Sequence, residues 1–266
     1  MPTYRLITIG PSHYCEKARW ALERAEIPYR EERHIQGVHI FYVKRAGGGM
    51  TAPVLVTPEG PLGESEDILR WVDERTPPEQ RLFPPEGPER DEVLRISRRL
   101  DAELGPKGRR LMYVNMLPEK RLLLDFNNTG VPRWEDRFMR AGFTLVTPVV
   151  KRRLAITPGV EVSDEADVWR ELDWIAELLA DGRPYLGGER FGAADLTFGA
   201  LSAPLVVPSE YGTPLPGLDG MPAGARDFST RAREHPAGQF ALSLVERHRR
   251  ETISAATASG RSSAGR

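Results

Sequence analysis

Apolar and polar positions follow two different rules on either side of a proline-rich stretch. Tyr4-Arg5-Leu6-Ile7-Thr8-Ile9 is a β-branched, apolar run closed by Gly10-Pro11, which reads as a buried strand. After Ser12 the apolar and small residues Tyr14, Ala18, Ala21, Leu22 and Ala25 recur at helical spacing, and Ser12 is a residue type that caps a helix N-terminus. Ile27-Pro28 ends that helix. Tyr29 to Ile35 then alternates weakly through charged residues, as an exposed or edge strand does, and completes a βαβ unit. Residues 37–50 hold no clean period; a short irregular helix is expected around Val38 to Arg45, followed by a turned loop at Gly47-Gly48-Gly49. Ala52-Pro53-Val54-Leu55-Val56 is a strand entered through proline, Thr57-Pro58-Glu59-Gly60 is turn chemistry, and Pro61-Leu62-Gly63 is the returning strand of a hairpin. From Glu64-Ser65 onward Ile68, Leu69 and Val72 share one helical face, with Ser65 as the expected cap and an end near Glu74.

From Thr76 to Pro88 the chain carries five prolines, which exclude regular structure and mark a boundary. Beyond it helical periods dominate. Val93, Ser97, Leu100 and Leu104 form one face, with a break expected at Gly105-Pro106; further helices are expected from Trp134 to about Leu154, through Val168, Leu172, Ile175, Ala176 and Leu179, from about Ala193 to Leu205, and from Pro236 to Arg250. Leu111 to Val131 keeps no single period, and Val206 to Gly224 is a connection rich in proline and glycine. The expected organisation is an α/β domain over residues 1–76, a linker over 77–87, an all-helical bundle of five or six helices over 88–251 with a separate core, and a disordered tail over 252–266 with nothing to bury.

Composition removes several classes of function. A formal net charge of -1 leaves no basic surplus for nucleic acid. One cysteine excludes an intramolecular disulfide framework and a Cys-rich metal site, and the five histidines show neither HxxxH nor HxH spacing, so no metal is expected. No apolar run approaches the ~20 residues of a membrane span, and no basic and apolar leader precedes the first strand. A cytoplasmic location and a small-molecule or protein partner are expected.

The chemistry is expected where the first strand meets the first helix, because Ser12-His13-Tyr14-Cys15 places the single cysteine at a helix N-terminus. Unpaired amides and the helix dipole favour an anion or thiolate there by roughly 0.3–1 kcal/mol. Cys15 reads equally as a thiolate in that field or as a small apolar residue in the first turn.

Three separated pieces resemble the cytosolic-type glutathione S-transferase family. Ser12-His13-Tyr14-Cys15 is similar to that family's Ser-x-x-Cys or Cys-x-x-Cys helix start and is followed by a Lys-x-Arg element, Lys17-Ala18-Arg19; Ala52-Pro53-Val54 resembles its cis-proline turn; Glu64-Ser65 resembles its Glu-Ser pair. The resemblance implies a thioredoxin-like N-terminal domain followed by a helical-bundle C-terminal domain, a homodimer, and glutathione as co-substrate without a metal. It also implies that Pro53 is cis and that the main chain of Ala52, Pro53 and Val54 pairs with the cysteinyl amide of glutathione. Glu64 would then take the γ-glutamyl amine, and Ser65 with the nearby free amides its carboxylate. The candidate catalytic residues are Ser12, at the first position of the motif and expected to donate a hydrogen bond to the glutathione thiolate, and Cys15, at the second. The implied activity is conjugation of the glutathione thiol to small electrophiles, as in detoxification. The alternatives are a glutathione-dependent thiol-disulfide oxidoreductase acting through Cys15 and a non-catalytic glutathione-fold binding protein. Residues 183–197 resemble the segment that opens a core helix with a capping box, where Asp195 would serve folding and Gly192 stands in place of the usual Ser or Thr.

Overall fold

The computed structural model describes residues 4–258. β1 (Tyr4–Thr8), α1 (His13–Arg24), β2 (Tyr29–Arg33), α2 (His39–Arg45), β3 (Val54–Thr57), β4 (Gly60–Leu62) and α3 (Ser65–Glu74) follow one another in the expected order. The sheet runs β2-β1-β3-β4, with β1 parallel to β2 and antiparallel to β3, and β3 antiparallel to β4. Period-two alternation decides what each face meets. Leu6 and Leu55 join the large core with α1 and α3, whereas Ile7 and Val54 pack with Val43 of α2 on the other face. This is a thioredoxin-like arrangement, and after α3 the elements among the described residues are all helical.

α4 (Pro88–Arg99), α5 (Gly105–Met116), α6 (Lys120–Asn127), α7 (Arg133–Arg153), α8 (Val160–Leu178), α9 (Ala193–Val206), α10 (Ala223–Glu234), α11 (Pro236–Leu244) and α12 (Arg250–Ala258) make up the second part. They form seven continuous rods among the described residues, more than the five or six expected: α6 lies in the segment that keeps no single period, and α10 follows the proline- and glycine-rich connection, where no helix was expected. The break expected at Gly105-Pro106 is absent. A π-helical turn over Leu100–Leu104 carries α4 into α5. In that register the Asp101 carbonyl would accept from residue 106, which is proline and has no N–H; it accepts the Tyr14 hydroxyl instead, at 2.7 Å. The tail expected over 252–266 is helical as far as residue 258. α12 continues α11 through a second π-helical turn, Val245–Arg249, and Thr252 is nearly buried; residues 259–266 lie outside the described residues.

Two separate cores were expected, yet one apolar cluster joins Leu6, Trp20 and Ile68 to Leu100, Leu172 and Phe198. The cause is α1, whose residues from Cys15 to Leu22 are all buried between the sheet and α9. Trp20 packs so closely on α9 that a β-carbon at Gly199 would stand 2.9 Å from its ring. The proline-rich stretch is likewise tied into the fold. Leu82 and Phe83 are buried, their amides donate to Asp73 Oδ1 at 2.5 and 3.2 Å, and the Leu82 carbonyl accepts from Ala193 N at 2.9 Å. That approach explains Gly192 at the α9 cap, since a β-carbon there would lie 2.9 Å from the Leu82 carbonyl oxygen. Asp195 supplies the other half of the box, accepting from Gly192 N at 2.9 Å and Leu186 N at 2.8 Å.

A helix buried on all sides needs internal partners for its charges. Arg19 donates to Glu31 at 2.7 Å, Glu16 at 3.2 Å and the Gly10 carbonyl at 2.9 Å, and Lys17 pairs with Asp101 at 2.7 Å. Burial alone would raise the Glu31 carboxyl, but Arg19 and Arg33, with the Thr8 hydroxyl, bring it down to about 2. A carboxyl depressed in the fold contributes stability above its unfolded value and loses it as pH falls through its folded value. Glu31→Gln is therefore expected to cost on the order of 2 kcal/mol near pH 7. In urea titrations the difference from wild type should shrink between pH ~4.5 and ~2. A difference constant over that range would show that Glu31 acts without its charge.

Candidate functional site

β1 delivers the chain into the Gly10-Pro11-Ser12 turn, and three contacts hold that turn. Arg19 and Thr213 donate to the Gly10 carbonyl at 2.9 and 3.3 Å, and Tyr211 donates to the Pro11 carbonyl at 3.2 Å. Ser12 is extended (φ -66, ψ 122) and caps α1, accepting from Cys15 N at 3.4 Å. The Lys-x-Arg element is thus a pair of struts: Arg19 fixes the turn before Ser12, and Lys17 fixes the π-helical turn that faces it.

Two cavities open around this turn. A cleft of about 680 Å³ runs past Tyr14, Ala52, Pro53, Glu64, Ser65 and Asp101. A smaller apolar cavity of about 110 Å³ is lined by Ser12 and His13 on one side and by Met112, Met116, Phe126 and Met221 on the other. Arg109 of α5 lines both.

The cleft gathers Ala52, Pro53, Glu64 and Ser65, and the Ala52-Pro53 peptide bond is cis. Val54 is not in its wall; the side chain is fully buried against Ile7 and Val43, so that only its main chain is left for recognition. Ser65 differs from the expected cap. Glu64 is the extended residue before α3 (φ -115, ψ 143), and Ser65 is the first helical residue, making no cap bond. The first backbone bond of α3 runs from Ile68 N to Glu64 O, so the amides of Ser65, Glu66 and Asp67 have no helical acceptor. All three residues line the cleft, which gives it a built position for a carboxylate beside an acid suited to an amine.

Cys15 is outside both cavities and fully buried. Its sulfur accepts from Ile9 N at 3.5 Å. Burial pushes the thiol up, against smaller opposing effects of Arg19, the Ser12 hydroxyl and the Ile9 amide. Of the two readings of this residue, the geometry favours the packed thiol.

Residues 6–80 match the sequence profile described as glutathione S-transferase, N-terminal domain. The N-terminal part of the chain belongs to the glutathione S-transferase family. The whole chain shares the fold of solved glutathione S-transferases. The enzyme from Pseudomonas fluorescens is 19% identical, with 94% of this chain and 97% of that one covered and a TM-score of 0.59. A glutathione S-transferase from Methylobacillus flagellatus, solved with glutathione bound, is 16% identical over 94% and 98% of the two chains, TM-score 0.59. The Tau class enzyme from mango is 17% identical over 97% of each, TM-score 0.56. No curated protein matches in sequence.

In this glutathione S-transferase fold three contributors to the site were not visible in the sequence pattern. Tyr14 lines the cleft, but its hydroxyl is engaged by the Asp101 carbonyl, and burial, then Asp101, push the phenol well up. Gly105 makes room for it, since a β-carbon there would collide with the Tyr14 hydroxyl. Arg109 comes from the segment after the expected break. Tyr211, Thr213, Leu215 and Pro216 come from the connection between α9 and α10, which wraps back onto the β1–α1 turn. Among the described residues no group of His, Cys, Asp or Glu could hold a metal ion, and no helix is long and apolar enough to cross a membrane.

Proposed function

We propose that the chain is a glutathione transferase that conjugates the glutathione thiol to small electrophiles. The observation that carries this reading is the juxtaposition of the two cavities. The cleft that holds Ala52, Pro53, Glu64 and Ser65 and the apolar cavity that holds Ser12 share the Arg109 side chain as a common wall. Glutathione would lie in the cleft, its γ-glutamyl carboxylate on the Ser65 hydroxyl and the free amides of α3, its amine on Glu64, and its cysteinyl amide along the main chain of Ala52, Pro53 and Val54. The sulfur then points to the head of α1, where Ser12 is the side chain free to serve it, the Tyr14 hydroxyl being engaged elsewhere. A thiolate formed there gains from the helix terminus and from a hydroxyl donor, which is how attack becomes fast at neutral pH. The electrophile would sit in the apolar cavity.

The buried, raised thiol of Cys15 weighs against a thiol-disulfide role. A glutathione-binding protein without activity is separated by turnover on a panel of electrophiles, where it would show none. Ser65→Ala and Glu64→Ala are each expected to weaken glutathione by roughly 1.5–3 kcal/mol, the scale of a hydrogen bond to a charged group. Ser65 is not the cap of α3, so its loss should appear in calorimetric affinity with little change in the melting temperature. Unchanged affinity in both variants would place the ligand elsewhere.

A further inference from the structure

The apolar cavity has one permanently charged group in its wall. Met112, Met116, Leu123, Phe126, Leu215 and Met221 supply most of the surface, no carboxylate lines it among the described residues, and Arg109 stands where it meets the cleft. The Arg109 side chain forms no ion pair or hydrogen bond among the described residues, and its Nε is buried without a partner. Of the carboxylates that line the cleft with it, Asp101, on the same helical rod, pairs through Oδ2 with Lys17 at 2.7 Å. His13 adds no charge. It is 2% exposed, and burial, then Arg109, hold its imidazole far below the usual range, at about 3. Its Nε2 and the Asn127 Oδ1, both from residues in the cavity wall, are buried and unpartnered as well.

A guanidinium in an apolar wall is costly until a negative group meets it. What it would meet depends on where the reaction puts charge. In thiolate addition to a carbon–carbon double bond conjugated to a carbonyl, the sulfur–carbon bond forms at the β carbon, and the π pair moves to the carbonyl oxygen as an enolate. The α carbon then takes a proton from water, balancing the one lost by the thiol. In displacement of a halide the charge departs with the leaving group, and no fixed cation has to hold it.

Resting on the glutathione reading above, we propose that the cavity selects α,β-unsaturated carbonyl acceptors and that Arg109 holds the oxygen on which the enolate charge develops. A fixed donor aimed at developing charge in a water-poor site is worth roughly 10²–10³ in rate. The test compares wild type, Arg109→Met and Arg109→Lys with 4-phenyl-3-buten-2-one and with benzyl chloride, acceptors of similar size. The thiol pKa of bound glutathione is read from thiolate absorbance against pH, and folding is checked by thermal unfolding. Arg109→Met should lower the ratio of kcat/KM for the enone to that for benzyl chloride by roughly 10²–10³ and leave the bound thiol pKa in place. Arg109→Lys should retain an intermediate enone rate, because charge remains without the planar fork. Equal losses for both acceptors with a raised thiol pKa would assign Arg109 to the sulfur and overturn the proposal. So would unchanged enone rates, or a wild type that binds glutathione but does not turn over the enone. Absence of calorimetric glutathione binding by wild type would instead remove the transferase reading on which the proposal rests.

Discussion

Arg249→Met is expected to lower the stability of the fold by roughly 3–5 kcal/mol, the scale found when one partner of a buried ion pair is removed. Arg249 is 1% exposed and sits in the π-helical turn between α11 and α12, donating to Glu16 at 2.7 Å and to Glu23 at 2.5 Å. Both carboxylates belong to α1, which has sheet on one side and α9 on the other and no water to turn to. Methionine fills much of the volume and strands the two acids. Glu16 keeps Arg19 at 3.2 Å and the Gly212 amide at 3.0 Å, whereas Glu23 keeps the Tyr29 hydroxyl at 2.7 Å, which does not neutralise it. The double variant Arg249→Met/Glu23→Gln should therefore recover part of the loss, a non-additivity expected for residues in one network. Denaturant titration reads this as a fall in midpoint at constant slope. A cost below about 1 kcal/mol for the single variant would mean that water reaches this network and that the C-terminal helix is not strapped to α1 through it.

The same network shows why some of the molecule was legible in the sequence and some was not. The sheet and α1, α2 and α3 could be read because each buries a regular face: Leu6 against Ile7 across the sheet, and Ile68, Leu69 and Val72 along α3. Pro53, Glu64 and Ser65 could be named from the sequence because they stand in local motifs, and the fold brings them to one cleft. What failed was anything depending on a partner far along the chain. Pro106 signals a missing N–H, and that signal is the same whether the helix stops or, as here, passes through a π-helical turn whose freed carbonyl is taken by Tyr14. Leu82 and Phe83 lie in a stretch whose prolines suggested a spacer, and only Asp73 and Ala193 reveal that it is anchored. Glu16, Lys17 and Arg19 look like a solvated helix face and are instead among the most buried residues of α1, because Glu16 meets Gly212 and Arg249, Lys17 meets Asp101 and Arg19 meets Glu31, partners that no local period encodes. Arg109 and the 211–216 connection reach the site by the same route.

Ser12→Ala is expected to cut conjugation by roughly 10²–10³ in kcat, the range seen when one donor to a developing or stored negative charge is removed. The reason lies in what else could serve the sulfur. Cys15 is fully buried one helical turn inside, its thiol pushed up by burial. The Tyr14 hydroxyl is spent on the Asp101 carbonyl at 2.7 Å. Ser12, half-buried, alone of the three lines the apolar cavity and sits at the cap, where its oxygen already accepts the Cys15 amide and its proton remains to be donated. Removing that hydroxyl should raise the pKa of the bound glutathione thiol. The rate loss should then shrink as pH is raised and the thiolate forms unaided, a dependence that loss of packing would not produce. Cys15→Ser should stay within a few-fold of wild type, because a hydroxyl can still accept the Ile9 amide that the sulfur accepts now at 3.5 Å. The reverse pattern, Cys15→Ser inactive and Ser12→Ala active, with a mixed disulfide between Cys15 and glutathione detected by mass spectrometry, would transfer the chemistry to the cysteine. It would require α1 to open at its first turn, since no part of the Cys15 side chain reaches either cavity in this fold.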